Sequence, residues 1–291
     1  NRLPVFTTGV ATLRAEGFAG DDTFTLVPAI SASPFSMLNL NGGDQASATG
    51  DQTNLKGTSA ADSIGVSGQV VSLGGVTVAS SGVENINLDS GGGVPPDLLT
   101  YTGVSGVTEA ISLAGSLTRG TGVLSVPGVV NLTFVGTETF VVNGNPKDVD
   151  TLTFLGTNAV DRLRVNLAAA GTAGDPVLKL FNAAGTILEL TLLNYTGFNT
   201  LNVNALDGND VVNVLTSATG PSRNVHVEGG PPTGKNKGTD TLNVFYAGKR
   251  PRIVHSAATQ DPDSGLVTLD YGTAFFGVDY SSMELVNILK S

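Results

Sequence analysis

Apolar and polar residues alternate in short runs along most of the chain. Leu201, Val203 and Ala205 are separated by Asn202 and Asn204, and Val76 and Val78 by Thr77. A period of two sends successive side chains to opposite faces of an extended backbone, so these runs predict half-buried strands. Val, Ile, Thr and Phe fill the runs, and Gly, Asn, Asp and Pro interrupt them roughly every eight to twelve residues, the spacing of an all-β chain. Segments 107–117 and 281–291 also carry helix-like spacing. Each aligns with strand-like segments elsewhere, and strands are expected for both.

Three blocks recur in a fixed order. Asp97–Gly103 (DLLTYTG) returns as DTLTFLG from Asp150 and, lengthened, as DTLNVFYAG from Asp240. A second block begins at Gly57 (GTSAADSIGV), Gly103 (GVSGVTEAISL) and Gly156 (GTNAVDRLRVNL). A third reads GVENINL at 82–88, GTETFVV at 136–142, GFNTLNV at 197–203 and SMELVNI at 282–288. The chain therefore divides into degenerate units over about 57–103, 103–156, 156–248 with a large insertion, and 248–291. Units of this size suit a β-solenoid or parallel β-helix, in which each coil buries its face on the next. Tandem β-sandwiches are the alternative. Residues 1–40 align poorly with the rest and are expected to form an N-terminal cap or an intersubunit arm, with 41–291 as the repeat domain.

Composition narrows the partners. Apolar residues make up 40% and charged residues 14%, with 38 Gly, which favours a packed chain with many tight turns. Cysteine is absent, so disulfides contribute nothing. A net charge of −10 argues against nucleic acid, whose phosphates bind Lys and Arg. No apolar run reaches the roughly 18 residues of a membrane span. The chain opens on Asn1 and is expected to be a processed or excised part of something longer.

GTSAADSIGV, GGVTVASSGVENINL and LNVNALDGNDVVNV resemble the repeats of large bacterial surface and secreted proteins, over roughly residues 38–291. That resemblance implies an extracellular β-rich module and no particular activity. The Asp-bearing turns are also similar, distantly, to the RTX nonapeptide, whose tandem copies bind calcium between coils. Here Gly208 and Asp210 match, but Ala205 and Leu206 stand where leading glycines belong, and no copy follows nine residues on. Gly17, Gly20, Asp22 and Phe24 match a second time, again alone.

Candidate chemistry is sparse. Asp207, Asn209 and Asp210, and likewise Asp21 and Asp22, offer oxygens to Ca²⁺, a hard cation taking six to eight of them. The competing and preferred reading is a turn, with Gly208 at positive φ and the side chains accepting backbone N–H groups. Asp62, Asp97, Glu109, Asp150, Asp161 and Asp240 recur at strand starts, which points to a structural task repeated in each unit. His226 and His255 have no nucleophile motif beside them, and the chain holds no G-x-S-x-G, H-E-x-x-H or G-x-x-x-x-G-K-[ST] motif. Lys249, Arg250 and Arg252, with Lys235 and Lys237, form the one basic concentration, suited to a solvated surface or to an acidic face of a neighbouring subunit. Asn131 and Asn194 sit in glycosylation-type triplets inside apparent strands.

These readings predict an all-β, non-enzymatic structural subunit or segment of an extracellular or cell-surface bacterial fibre, sheath or surface layer, assembling with itself by strand stacking. The alternative is an adhesin, or a β-helix protein that binds or degrades surface polysaccharide, with the 216–240 loop or a carboxylate-lined groove as its site.

Overall fold

The computed structural model describes residues 12–27, 35–47, 50–92, 96–169, 176–186, 188–219, 222–230, 239–259 and 261–291. Among these residues the fold is all-β, with no helix. The segments 107–117 and 281–291 carry strands, over Ala110–Gly115 and Leu285–Lys290, as their alignment predicts.

The chain alternates between two large sheets. β1 (Thr12–Glu16) lies in sheet I and β2 (Thr23–Leu26) in sheet II; β3 (Met37–Asn41) and β4 (Gln52–Lys56) repeat the step. A meander follows in sheet I, formed by β5 (Ser63–Ser67), β6 (Val70–Leu73) and β7 (Val76–Ser81). β8 (Asn85–Asp89) then lies in sheet II and β9 (Leu98–Thr102) in sheet I. The second meander, in sheet II, is β10 (Ala110–Gly115), β11 (Gly122–Val126) and β12 (Val130–Val135), followed by β13 (Thr139–Asn143) in sheet I and β14 (Thr151–Leu155) in sheet II. The third, in sheet I, is β15 (Arg162–Asn166), β16 (Leu178–Phe181) and β17 (Leu188–Thr196). β18 (Thr200–Asn204), β19 (Val211–Ser217), β20 (Arg223–Glu228) and β21 (Thr241–Ala247) then alternate between sheets II and I. The last meander, in sheet II, is β22 (Arg252–Ala257), β23 (Gly265–Asp270) and β24 (Phe275–Ser281), and β25 (Leu285–Lys290) closes sheet I.

Sheet I has 13 strands and sheet II has 12, each unbroken, so the solenoid expectation holds over separate sandwiches. The coil is not a simple spiral. On entering a meander the chain skips ahead: β5 pairs in parallel with the later β9, and the meander folds back until β7 reaches β3. The same path takes β10 to β14 and β12 to β8, then β15 to β19 and β17 to β13. Only the middle strand of each meander runs against the common direction. The reversal between β6 and β7 needs φ > 0 at both central residues, and Gly74 and Gly75 supply φ of 57° and 83°.

The sequence blocks fall on distinct steps of this path. First-block copies are β9, β14 and β21, the strands before a meander; second-block copies lead into β5, β10 and β15; third-block copies are β8, β13, β18 and β25, the strands after one. The insertion in the 156–248 unit contains β19 and β20, an added crossing between the sheets. Within the first forty residues, Thr12–Glu16 and Thr23–Leu26 are the first coil, in register with β3 and β4.

The period-two alternation places the core between the sheets. Leu99, Tyr101, Phe134, Phe140, Leu152 and Phe154 are fully buried, and Phe134 meets Phe140 at a ring separation of 4.8 Å. Burying side chains of this size contributes on the order of 1.5–3 kcal/mol each before entropy is counted. Burial relaxes toward the ends of the solenoid, where Leu13, Ala15, Phe24 and Leu26 at one end and Val286 and Ile288 at the other are only partly covered.

Candidate functional site

The recurrent carboxylates sit immediately before strands, at the corners where the chain passes from one sheet to the other. Parallel neighbours begin in register, as Thr23 with Gln52, Ser63 with Leu98, Ala110 with Thr151, and Val211 with Thr241. The residues just before them therefore stack from coil to coil. Seven of these carboxylates use that stacking to accept the backbone N–H of the acidic residue one coil earlier. Asp22 donates to Asp51 and Asp51 to Glu84, both at 2.6 Å. Asp62 donates to Asp97 at 2.7 Å and Glu109 to Asp150 at 2.8 Å. The longest ladder runs from Asp161 to Asp210 (2.7 Å), Asp210 to Asp240 (2.8 Å) and Asp240 to Glu284 (2.7 Å).

Several carboxylates also close the local turn. Asp62 accepts the N–H of Thr58, Asp161 that of Thr157, Glu109 that of Val104 and Asp150 that of Asn145. This explains the glycine that opens each copy of the second block. A Cβ on Gly57 would lie 2.5 Å from Asp62 Oδ2, and one on Gly156 would lie 2.5 Å from Asp161 Oδ2. The motif of a glycine five or six positions before an acid is thus a steric requirement of the carboxylate folding over the backbone.

The Asp207–Asp210 corner follows the same plan, with one correction. Gly208 is not at positive φ; Leu206 takes that conformation, at φ 67°. Gly208 is there for space, since its Cβ would lie 2.6 Å from Asp210 Oδ1 and 2.8 Å from the Ala159 carbonyl. Asp210 is fully buried, Asp207 half-buried and Asn209 exposed, so the three do not converge on one point of the surface. Asp21 is exposed and accepts the N–H groups of Ala46 and Ser47 at 2.9 Å and the Ser47 hydroxyl, contacts that hold its carboxyl below the ordinary value. Asp22 is half-buried at the start of β2. Among the described residues, no three Asp, Glu or His side chains gather around a common point as metal ligands.

Stacked carboxylates repel one another in a poorly solvated corner. Burial, then the charges of Asp161, Asp240 and Asp207, push Asp210 up to about 7 against the opposing pull of the Asp161 N–H. Burial and Glu284 push Asp240 up to about 6, and burial raises Asp161. Asp210 Oδ2 has no hydrogen-bond partner, nor have Oδ2 of Asp22, Asp51 and Asp97. Sequence reasoning singled out the aspartates and Glu109 but passed over Glu84, Glu138 and Glu284. Their signal was the glutamate shared by three of the four third-block copies. In the fourth copy Asn199 stands at that position, before Thr200.

The two histidines lie on opposite faces of sheet II. His226 Nδ1 is 2.8 Å from Asp279 Oδ2 on the outer face, while His255 Nε2 is 2.8 Å from the hydroxyl of the buried Tyr280. The sheet separates them, so they cannot share one reaction. An open groove of about 790 Å³ runs over the outer face, lined by Phe198, Thr200, Asn202, His226 and Asp279. Asn131 and Asn194 are in β12 and β17, bonded to Asn85 and Arg223 respectively. Of the basic concentration, Lys249, Arg250 and Arg252 are exposed at the start of β22; Lys235 and Lys237, with much of the 216–240 loop, lie outside the described residues.

The remaining distinctive surfaces are the two ends. No described residue pairs with the outer side of β1 or β2, nor with that of β22 or β25. In the first three meanders the leading strand is covered on that side by β9, β14 or β19. β22 alone among leading strands has no such neighbour. Comparison with protein-family models, with curated proteins and with solved structures returns no match for this chain.

Proposed function

We propose that this chain is an architectural element, a segment or subunit of an extracellular bacterial fibre, sheath or surface layer that extends by stacking strand on strand. One observation carries the reading: among the described residues nothing pairs with the outer side of β1, β2, β22 or β25, and inward apolar residues there are left half-covered. An open edge is a template for another strand, and a solenoid end without a cap needs a partner. The corner ladders serve the same task, because they bind coil to coil with backbone donors and need neither disulfide nor metal. The extracellular bacterial setting rests on the resemblance of the repeats. Sedimentation and electron microscopy over a concentration series test the proposal: regular linear assemblies are expected, and a monomer persisting at every concentration would overturn it.

The groove of Phe198, Thr200, Asn202, His226 and Asp279 favours a second reading, an adhesin that holds surface polysaccharide. An aromatic ring beside several hydrogen-bonding groups suits a sugar. Glycan binding that is lost in Asp279→Ala would support this reading, and no binding by the parent protein would reject it.

A further inference from the structure

Resting on the stacking reading, we infer that copies join head to tail, with β22 and β25 of one copy seated against β2 and β1 of the next, and that Lys249, Arg250 and Arg252 meet Asp21 and Asp22 across the joint.

Strand direction fixes the polarity. β22 runs against β23, which runs against β24, so β22 shares the direction of β20, β4 and β2. β25 likewise shares the direction of β1 through an all-parallel succession broken only at the middle strands of meanders. Stacking the next copy in the same sense therefore makes each new pair parallel, with a bend at the joint because sheet I has one strand more than sheet II. The new pair in sheet II gives β22 the parallel neighbour that β5, β10 and β15 already have.

Register brings the charges together. Where strand starts align, as they do within the molecule, the residues preceding β22 stack on those preceding β2. Lys249 and Arg250 precede β22 and Arg252 begins it; all three are exposed and none forms an ion pair with a described residue. Asp21 and Asp22 precede β2. Within the molecule the residue before the neighbouring strand donates its N–H to an acid at this position, as Asp161 does to Oδ1 of Asp210. Pro251 has no N–H to offer, so the flanking guanidinium groups are the donors that can reach the acidic corner.

Apolar faces complete the match. Ile253 and His255 are in register with the fully buried Leu269 and Val267, so they face inward, yet Ile253 is only half-buried and His255 is exposed. At the other end Leu13 and Ala15 are in register with the buried Leu38 and Leu40 and are likewise half-covered. Ile253 belongs to sheet II and Leu13 to sheet I, so the joint lets one cover the other from opposite sheets. A head-to-head joint would set Lys249, Arg250 and Arg252 against their own copies. Head-to-tail contact is heterologous and does not close on itself unless it rotates, which gives an open filament.

The test is charge reversal read by sedimentation. Arg250→Glu with Arg252→Glu is expected to lose the assembled fraction, and Asp21→Lys to lose it as well. Combining all three changes in one chain is expected to restore it, because head-to-tail contact puts the reversed groups on each other. All of these positions are half-buried or exposed, and circular dichroism checks that each variant keeps the parent fold. Assembly unchanged in the two separate variants, or not restored in the combined one, would overturn the head-to-tail joint while leaving the architectural reading in place. Absence of assembly in the parent protein would overturn both.

Discussion

The backbone N–H of Asp161 donates to Oδ1 of Asp210 at 2.7 Å, joining residues 49 positions apart in the chain. Asp210 passes its own N–H to Asp240 in the same way, at 2.8 Å. A corner that would otherwise bury an unmet donor in every coil is thereby closed by the next coil's side chain. The arrangement is local in cause and long-ranged in effect: an acidic residue just before a strand, repeated in successive coils, makes a ladder along part of the stack.

Asp210→Ala removes the acceptor and leaves the Asp161 N–H buried and unmet, which is expected to destabilise the fold by about 1–3 kcal/mol. Asp210→Asn keeps an acceptor oxygen and removes a charge that burial and its neighbours disfavour, so at pH 8 it is expected to match or exceed the parent. Urea denaturation of both variants checks this. An alanine variant within about 0.5 kcal/mol of the parent would show that the ladder bond carries no weight.

Stability is expected to fall as pH rises from about 4 to above 7. Asp210 and Asp240 are pushed up to about 7 and about 6 from an ordinary value of 3.8, so the folded state holds their protons more tightly than the unfolded chain. Their contribution is complete below the unfolded value and is lost as pH rises through the folded values. Melting temperatures at pH 4.5 and pH 8 measure it, with the higher value expected at 4.5. The slope between these values should flatten in Asp210→Asn.

Gly156→Ala sets a Cβ 2.5 Å from Asp161 Oδ2 and 2.8 Å from the Ala205 carbonyl, and neither the ladder carboxylate nor the backbone can yield cheaply. A loss of about 1–3 kcal/mol is expected. Gly65→Ala on β5 is the control, since its nearest neighbour, Ser72 Cβ, would be 3.7 Å away. Equal effects of the two substitutions in thermal unfolding would contradict the steric account.

Ile253→Lys places a charge on the inward face of the overhanging edge strand. Ile253 is half-buried in the single copy, so the melting temperature of the monomer is expected to change little, while assembly is expected to be lost. Light scattering beside calorimetry separates the two effects. Retained assembly would mean that this edge is not the joint.

Much of this fold was legible along the chain. Alternation at Leu201, Val203, Val212 and Val214 marked strands with one buried face, and all four are fully buried. The three repeating blocks carried the order of the path, because a strand before a meander, a strand opening one and a strand after one meet different neighbours. The carboxylates before strands carried the corner, because an unmet N–H recurs there and Asp or Glu at a fixed position meets it. The sequence by itself therefore determined strand content, the order of the repeated blocks and corner chemistry, all of which depend on residues close together in the chain. Tertiary structure decided the rest. Whether a meander lies in sheet I or sheet II, and that β5 skips ahead to β9 before folding back to β3, depends on pairings between residues tens of positions apart, which alternate in the same way whichever neighbour they take. Leu206 rather than Gly208 adopting positive φ depends on where the Asp210 carboxylate lies. The open edge of β22 appears only when its missing neighbour can be compared with β9, β14 and β19 in place.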